Sequence, residues 1–397
     1  MRVLVVHNRY RSDAPSGENR VVDEESALLR EGGHEVELFQ VTSDAIAGLG
    51  PLRRALLPAQ LVWAPGPRRD LAQAIARFAP DVVHVHNTFP LLSASVVAAA
   101  RAAGVPLVAT LHNYRLICAG GTLFRDGAVC HECVGHTPVA GVRHGCYRGS
   151  SIMTVPNASA IAVTTHRWKR DVDAFVVLSE AEGTLFAEAG FPADRLVVKP
   201  NFVRDQPRPA DRTAGEHFLY LGRLAVEKGV RVLREAWTQH RPAIGFRHRL
   251  LIAGGGPLQC EVEAWAAQDP TVEFLGHRSP AECADLLSRA LAVVVPSVWE
   301  ETFGLVVVEA KAAGVPAITS DHASFPDLIE PGRDGLLVAP GDPAALAGAL
   351  AHVDACPKMA TSMGVAARAS YELGYTPEQN LRMLEDIYGG VLRRSGR

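Results

Sequence analysis

A chain of 397 residues, 48% of them hydrophobic, is long enough for two domains with a core each. Its net charge of −3 supplies no basic field for nucleic acid, and no apolar run is long enough to cross a bilayer. The short apolar run in MRVLVVHNRYRSD reads as a first strand and not as a secretion signal, so a cytoplasmic protein is expected.

In chain order, RVLVVH (2–7) reads as a strand and ENRVVDEESALLREGG (18–33) as a helix with a glycine stop. HEVELFQ, DVVHVH and PLVATLH follow as strands, with a helix through SASVVAAARAAG before the last. AFVVLSE reads as another strand, with Asp171 and Asp173 as polar residues at its entry. The second half contributes HFLYLG, RLLIAG, VEFLG, LAVVVPS, VPAITS and DGLLVAP, again separated by helical patterns. Unbroken Val, Ile and Leu runs between helices indicate parallel strands buried on both faces. A polar, proline-bearing segment at 201–217 divides the two blocks. The expected organisation is α/β: two Rossmann-like, doubly wound domains at 1–203 and 204–376, facing a central cleft. The final helical stretch, 377–397, is expected to pack back on the first domain. Ligands in such sheets bind beyond the carboxyl ends of the strands.

The familiar short signatures are missing: no G-x-G-x-x-G after the first strand, no G-K-[ST], no H-E-x-x-H, no G-x-S-x-G. GGGP at 254–257 fits any tight strand-to-helix turn. More informative is PSVWEETFGLVVVEA (296–310), with Glu300, Glu301 and Glu309 around an apolar run. Pro296 and Ser297 end a strand, VWEETF is a loop, and Gly304 can open a helix. Backbone N–H groups at Gly304 and Leu305 then favour an anion. Glu309 lies roughly 7 Å further along that helix, at about 1.5 Å per residue. A diphosphate at the helix start would thus have a carboxylate near each attached group, and carboxylates accept well from sugar hydroxyls. GRLAVEKGV (222–230) adds Arg223 and Lys228 at the end of another strand, a planar fork and a point charge suited to phosphate.

Gly-Arg-Leu-x-x-Glu-Lys-Gly at 222–229 and E-x7-E at 301–309 resemble the donor site of GT-B-fold retaining glycosyltransferases of family 4. LIAGGGP, EFLG and ATLHNY (109–114) strengthen the resemblance, which spans nearly the whole chain. It implies that Arg223 and Lys228 hold the donor diphosphate and that Glu309 binds the ribose. It also implies that Glu301 and the backbone of Phe303, Gly304 and Leu305 hold sugar and phosphate, and that the turn at Gly276, His277 and Arg278 faces the base. Thr302 departs from the glycine or proline of many relatives, which weakens any sugar preference inferred from them. A UDP-sugar is the favoured donor and GDP-mannose the alternative. The acceptor is a hydroxyl of unknown identity on a small molecule, a glycan or a lipid-linked compound.

On the acceptor side, NRYRSDAPSGENR (8–20) reads as a long loop in which Gly17 lets backbone approach the donor phosphate. His112 ends a strand at the position where the resemblance implies a histidine beside the transferred sugar. His84, His86 and Asn87 read equally as acceptor-side or packing residues. The expected reaction is front-face transfer with retention, with no metal cofactor for catalysis, since Arg223, Lys228 and the helix start would stabilise the leaving diphosphate.

Of seven cysteines, Cys118, Cys130, Cys133 and Cys146 crowd into one stretch around a C-x2-C, which suggests a structural zinc as the alternative to buried thiols. Cys260, Cys283 and Cys356 read as packing residues. GPLRRALLPAQLVWAPGPRR (50–69) mixes apolar and basic residues, so peripheral contact with a membrane surface enters the reading. Its prolines favour a solvated or acceptor-binding loop. A sugar-nucleotide epimerase of the same fold and a non-catalytic sugar-nucleotide binder are the competing functions. The first would need further acid–base groups, and donor turnover would separate the second.

Overall fold

The computed structural model describes residues 1–12, 16–205, 215–244 and 247–396, with backbone alone at 239–244. Strands β1 (Arg2–Arg9), β2 (Glu35–Thr42), β3 (Val82–Val85) and β4 (Leu107–Thr110) come first. A short hairpin follows, β5 (Phe124–Arg125) with β6 (Ala128–Val129), and then β7 (Ala174–Val177) and β8 (Leu196–Val198). The second half holds β9 (His217–Leu221), β10 (Arg249–Ala253), β11 (Val272–Gly276), β12 (Ala290–Val295), β13 (Ala317–Ser320) and β14 (Gly335–Val338). All six apolar runs of that half are strands.

Two six-stranded sheets result, ordered β2-β1-β3-β4-β7-β8 and β11-β10-β9-β12-β13-β14. Every pairing within them is parallel. Parallel neighbours require crossover connections, here mostly helices, and helices bury both faces of a sheet. That is why β3, β4, β7 and β12 are buried along their whole length. The chain divides into two compact units: Met1–Leu123, Cys130–Pro200 and Asn380–Arg397 form one, and Phe124–Val129 with Asn201–Gln379 the other. The helix Pro377–Arg394 supplies Leu384, Ile387, Tyr388 and Val391 to the first unit's core, against Val3, Val5, Val22, Val108 and Val176.

Strand order fixes where sites form. In the first sheet β1 lies between β2 and β3, so the winding reverses there; in the second it reverses between β9 and β12. Those crevices at the strands' carboxyl ends are the natural ligand positions.

The structure corrects three expectations. Residues 50–69 are not a loop: they form the helices Pro51–Val62 and Pro65–Phe78 up to Arg69 and beyond. Pro51 and Pro65 sit at the first helical turn, where a missing N–H costs nothing, and only Pro58 is interior. Cys260 and Cys356 are exposed and do not pack in a core. The loop expected over 8–20 is short, because β1 runs to Arg9 and a helix starts at Gly17. Its residues 13–15 lie outside the described residues, as do 206–214 of the inter-domain segment at 201–217.

Candidate active site

In the second unit, the connections that leave β9 and β12 are fastened to each other. Val298 N–H donates to Glu227 O at 2.9 Å. Gly229 takes φ 72°, and a Cβ there would lie 1.7 Å from Pro296 O, so only glycine permits this approach. The fastening brings Lys228 to Glu301, with Nζ 2.7 Å from Oε2. Trp299 Nε1 donates to the same oxygen at 3.0 Å and Ser297 Oγ at 3.4 Å. Lys228 Nζ also sits 4.7 Å above the Trp299 ring, a cation–π contact. Glu301 is therefore a shared anchor, and Lys228 is held with further N–H groups available beyond it.

Arg223 follows β9 directly. Its carbonyl accepts from Tyr220 Oη at 2.9 Å, which ties the turn to the strand. Its side chain is 64% exposed and lies 3.8 Å from Glu227. Burial, and then the charges of Glu301 and Glu227, push the Tyr220 phenol far above its ordinary range, so it stays a neutral donor. Gly304 caps the helix Leu305–Ala312 with φ 91° and ψ 56°, and a Cβ there would lie 2.8 Å from Phe325 Cε1. Phe303 is buried, and its carbonyl accepts from Ser324 Oγ at 2.7 Å. These contacts aim the helix's first N–H groups. Glu309, half-buried, stands on the second turn of that helix. His277 is exposed at the end of the edge strand β11.

Sequence reasoning separated Lys228 from Glu301 by role, whereas the structure joins them. It also passed over Trp299, and it noted Glu300 without giving it a partner. Glu300 is buried with Oε2 3.4 Å from His322 Nε2, and this contact raises the His322 pKa. An indole two residues before Glu301, on a strand-end loop, was the available signal for Trp299.

In the first unit, Gly17 opens the helix Gly17–Glu31, with Ser16 as N-cap accepting from Asn19 N–H. A Cβ on Gly17 would meet nothing within 4 Å among the described residues. Glu18, unnoticed in the sequence, accepts from Tyr10 Oη at 3.1 Å and Asn113 Nδ2 at 3.3 Å. Its Oε1 is closed off from solvent without a partner, and burial pushes the carboxyl up to about 7. At the switch point, Asn8 and Asn87 stitch β1 to β3, with Asn8 N–H to Asn87 O at 2.7 Å and Asn87 Nδ2 to Asn8 O at 2.9 Å. His84, His86 and Asn87 are buried, and His112 is half-buried behind them, with Nε2 2.9 Å from His86 Nδ1.

The four clustered cysteines are half-buried and free of disulfides. Burial raises the Cys133 thiol, N–H groups of Gly141 and Ala119 directed at its sulfur oppose this, and Cys118 and Cys130 lie close enough to add to the rise. Four thiols with backbone donors suit zinc in kind. Among the described residues, though, the potential ligand atoms gathered within 4.8 Å of one another are those of Glu25, His84 and His86.

Two parallel doubly wound sheets, with phosphate-suited groups at a switch point, define a GT-B architecture. The chain belongs to the GT-B-fold glycosyltransferases of family 4: residues 16–201 match the glycosyl transferase 4-like domain and residues 215–353 the group 1 glycosyl transferases. It is 31% identical over 295 residues to glycogen synthase of Mycobacterium tuberculosis, covering 73% of this chain and 64% of that one. The chain thus spans less than two thirds of that relative. The fold is shared with the Anabaena protein HepE in complex with UDP, at TM-score 0.68 and 18% identity over 98% of this chain and 100% of that one. It is shared also with sucrose-phosphate synthase of Thermosynechococcus elongatus, at TM-score 0.69 and 19% identity over 99% of each.

Proposed function

We propose that this protein is a retaining hexosyltransferase, moving a sugar from a nucleoside diphosphate, UDP first and GDP second, to an acceptor hydroxyl. The observation that carries the reading is the Lys228–Glu301 pair at the β9/β12 switch point, beside the helix start at Gly304. The crystal structures of HepE with UDP and UDP-glucose support the choice of base. In a front-face transfer the bond from the anomeric carbon to phosphate oxygen breaks. The acceptor oxygen bonds to the same face, and its proton passes to the leaving diphosphate. Negative charge grows on that diphosphate. Arg223, Lys228 and the first N–H groups of the helix Leu305–Ala312 stabilise it where a metal ion otherwise would. Glu301 holds Lys228 in place, Glu309 accepts from the ribose, and His277 borders the base. Gly17 lets backbone approach the phosphate, and His112 lies by the sugar.

The test is turnover of UDP-, GDP- and dTDP-sugars, each with and without EDTA, reading the anomeric configuration of the product. Retained configuration, a UDP-sugar preference and indifference to EDTA are expected. Activity that returned only with added Mg2+ or Mn2+ would overturn metal independence, and binding without turnover would leave a sugar-nucleotide binder.

Two further elements belong to the proposal. The four cysteines at 118, 130, 133 and 146 hold a structural zinc with no open position. A lipid-linked acceptor is favoured by one surface: Leu52 and Leu56 are 77% and 51% exposed beside Arg53 and Arg54 on a helix with no buried residue. The helix Ser151–Asp171 packs alongside it and exposes Ile152, Met153 and Val155. No helix among the described residues is long and apolar enough to cross a membrane, so the contact would be peripheral.

A further inference from the structure

Trp299 is a large apolar side chain on a loop, half-buried, and it stands outside the hydrophobic cluster that β9 and β12 share. Packing in that core therefore does not account for it. The backbone fixes it on both sides: Val298 N–H donates to Glu227 O at 2.9 Å, and Glu301 N–H donates to Trp299 O at 2.8 Å. Its side chain meets two charged groups. The indole edge donates from Nε1 to Glu301 Oε2 at 3.0 Å, and the indole face lies 4.7 Å from Lys228 Nζ. Lys228 Nζ and Glu301 Oε2 are themselves 2.7 Å apart, so indole, carboxylate and ammonium close a triangle.

Each side of the triangle uses a different property. An indole donates through Nε1–H and accepts nothing there, so its edge suits the carboxylate. Its ring face carries the negative lobe of the quadrupole, so the face suits the cation. Phenylalanine would offer the face without the donor. Glu301 alone would leave Lys228 in a mobile ion pair: a compact ammonium on a four-carbon stem can circle a carboxylate, and this side chain, 25% exposed, has room to do so. The indole removes that freedom. Of the three ammonium N–H groups, Glu301 takes one and the ring face occupies a second side. One remains, and the two fixed contacts set its direction. Ser297 Oγ, 3.4 Å from Glu301 Oε2, adds a third donor to that oxygen. Shared among three donors, the carboxylate holds Lys228 without closing it off from an incoming anion.

We propose that Trp299 is a positioning residue: with its edge on Glu301 and its face on Lys228, it holds the ammonium with one N–H turned to a nucleoside diphosphate. This rests on the reading of Lys228 as a diphosphate ligand. Negative charge that grows on the diphosphate as the glycosidic bond breaks then meets an ammonium already in place. The brace therefore matters more to kcat than to the affinity for UDP.

Indole 1H–15N NMR of the full chain reads the brace directly, with Trp299→Phe assigning its signal among the five tryptophans. The Trp299 signal is expected to move when UDP is added, and to move when Lys228→Ala is introduced. Turnover reads what the brace is for. Trp299→Phe keeps the face and loses the donor, and is expected to cost about 3- to 10-fold in kcat. Trp299→Leu loses both and should cost roughly 10- to 100-fold, with UDP affinity by calorimetry falling by less. In the Lys228→Ala background, Trp299→Leu should cost under about twofold, because no ammonium remains to be held. A residue that only supports the loop would cost the same in both backgrounds. That result overturns the inference, as does an indole signal that answers to neither UDP nor Lys228→Ala. If Trp299→Leu does not fold, Trp299→Phe in the two backgrounds decides. A chain that binds neither UDP nor GDP overturns the inference outright. One that turns over no nucleotide sugar, yet shows a UDP-induced Trp299 shift that Lys228→Ala abolishes, upholds the brace and refutes only the transferase reading.

Discussion

Lys228 Nζ and Glu301 Oε2 lie 2.7 Å apart although 73 residues separate them in the chain. Their loops are joined beneath by Val298 N–H to Glu227 O, so the pair belongs to two strand ends and not to two wandering side chains. Groups that share a partner lose function together. Lys228→Ala is expected to cost about 100- to 1000-fold in turnover, and Glu301→Ala a comparable fraction of that on the logarithmic scale. The double variant should cost clearly less than the two combined. A double-mutant cycle on kcat/KM reads this, and strict additivity would count against the pair as one device. Arg223→Ala should match Lys228→Ala in rate and leave the melting temperature alone, since its side chain is largely in solvent.

Glu309 stands on the helix Leu305–Ala312, beyond the turn that holds Glu301. Glu309→Ala is expected to weaken nucleotide binding by calorimetry about tenfold, the loss of one charge-assisted hydrogen bond. Glu301→Ala should lower transfer rate with a smaller effect on nucleotide affinity. Equal, small effects from both changes would remove the division of roles.

Glu18 makes stability depend on pH in a definite direction. Its carboxyl rises from an ordinary 4.5 to about 7 on folding, through burial. Between those values the folded chain keeps a proton that the unfolded chain has released. Stability from this group is therefore present at low pH, falls as pH rises through the window and levels off above it. Glu18→Gln cannot titrate. Its melting temperature, compared with wild type, should gain steadily from pH 5 to pH 7; a constant gap would show that Glu18 is ionised throughout.

Protein purified without chelator is expected to hold about one zinc per chain, since four thiolates complete a tetrahedron. Chelation or Cys133→Ser should lower the melting temperature and release the metal. Metal-free protein with four reactive thiols and the same melting curve would dispose of the site.

The helix Pro51–Val62 should seat the protein on anionic vesicles and not on neutral ones, through Arg53 and Arg54 with Leu52 and Leu56 inserted. Arg53→Glu/Arg54→Glu should leave it in the supernatant of a sedimentation assay. Equal binding to both vesicle types, or none to either, would redirect the search for the acceptor to water-soluble hydroxyls.

Much of the scaffold can be read from the chain because buried parallel strands are apolar on both faces: LAVVVPS and VPAITS declare themselves without any partner. The hairpin at Phe124–Val129 does not, since two-residue strands have no period to detect. The helix at Pro51–Val62 is hidden by a rule applied too broadly, because proline is unfavourable inside a helix and welcome at its start. The site is legible one loop at a time. Which loops meet depends on strand order, and nothing local in GRLAVEKGV says that β9 neighbours β12. The same holds for Glu25, His86 and Lys199, which lie on the helix after β1, just past β3 and just past β8, and meet only in the folded unit.

The helix Pro377–Arg394 closes one face of the first unit's sheet, and its Tyr388 bonds His84 at the heart of that unit. During synthesis the segment up to Pro200 emerges early, yet Val3, Val5 and Val108, which Val22 and Leu29 of the helix Gly17–Glu31 cover in part, lack Leu384, Ile387, Tyr388 and Val391 until the helix Pro377–Arg394 leaves the ribosome. The unit that begins the chain is thus the last to be completed. The second unit, which needs no such late segment, can be finished first, so the order of folding runs against the order of translation. A nascent chain stalled before Pro377 should present a partly uncovered apolar sheet face, the kind of surface that chaperones hold.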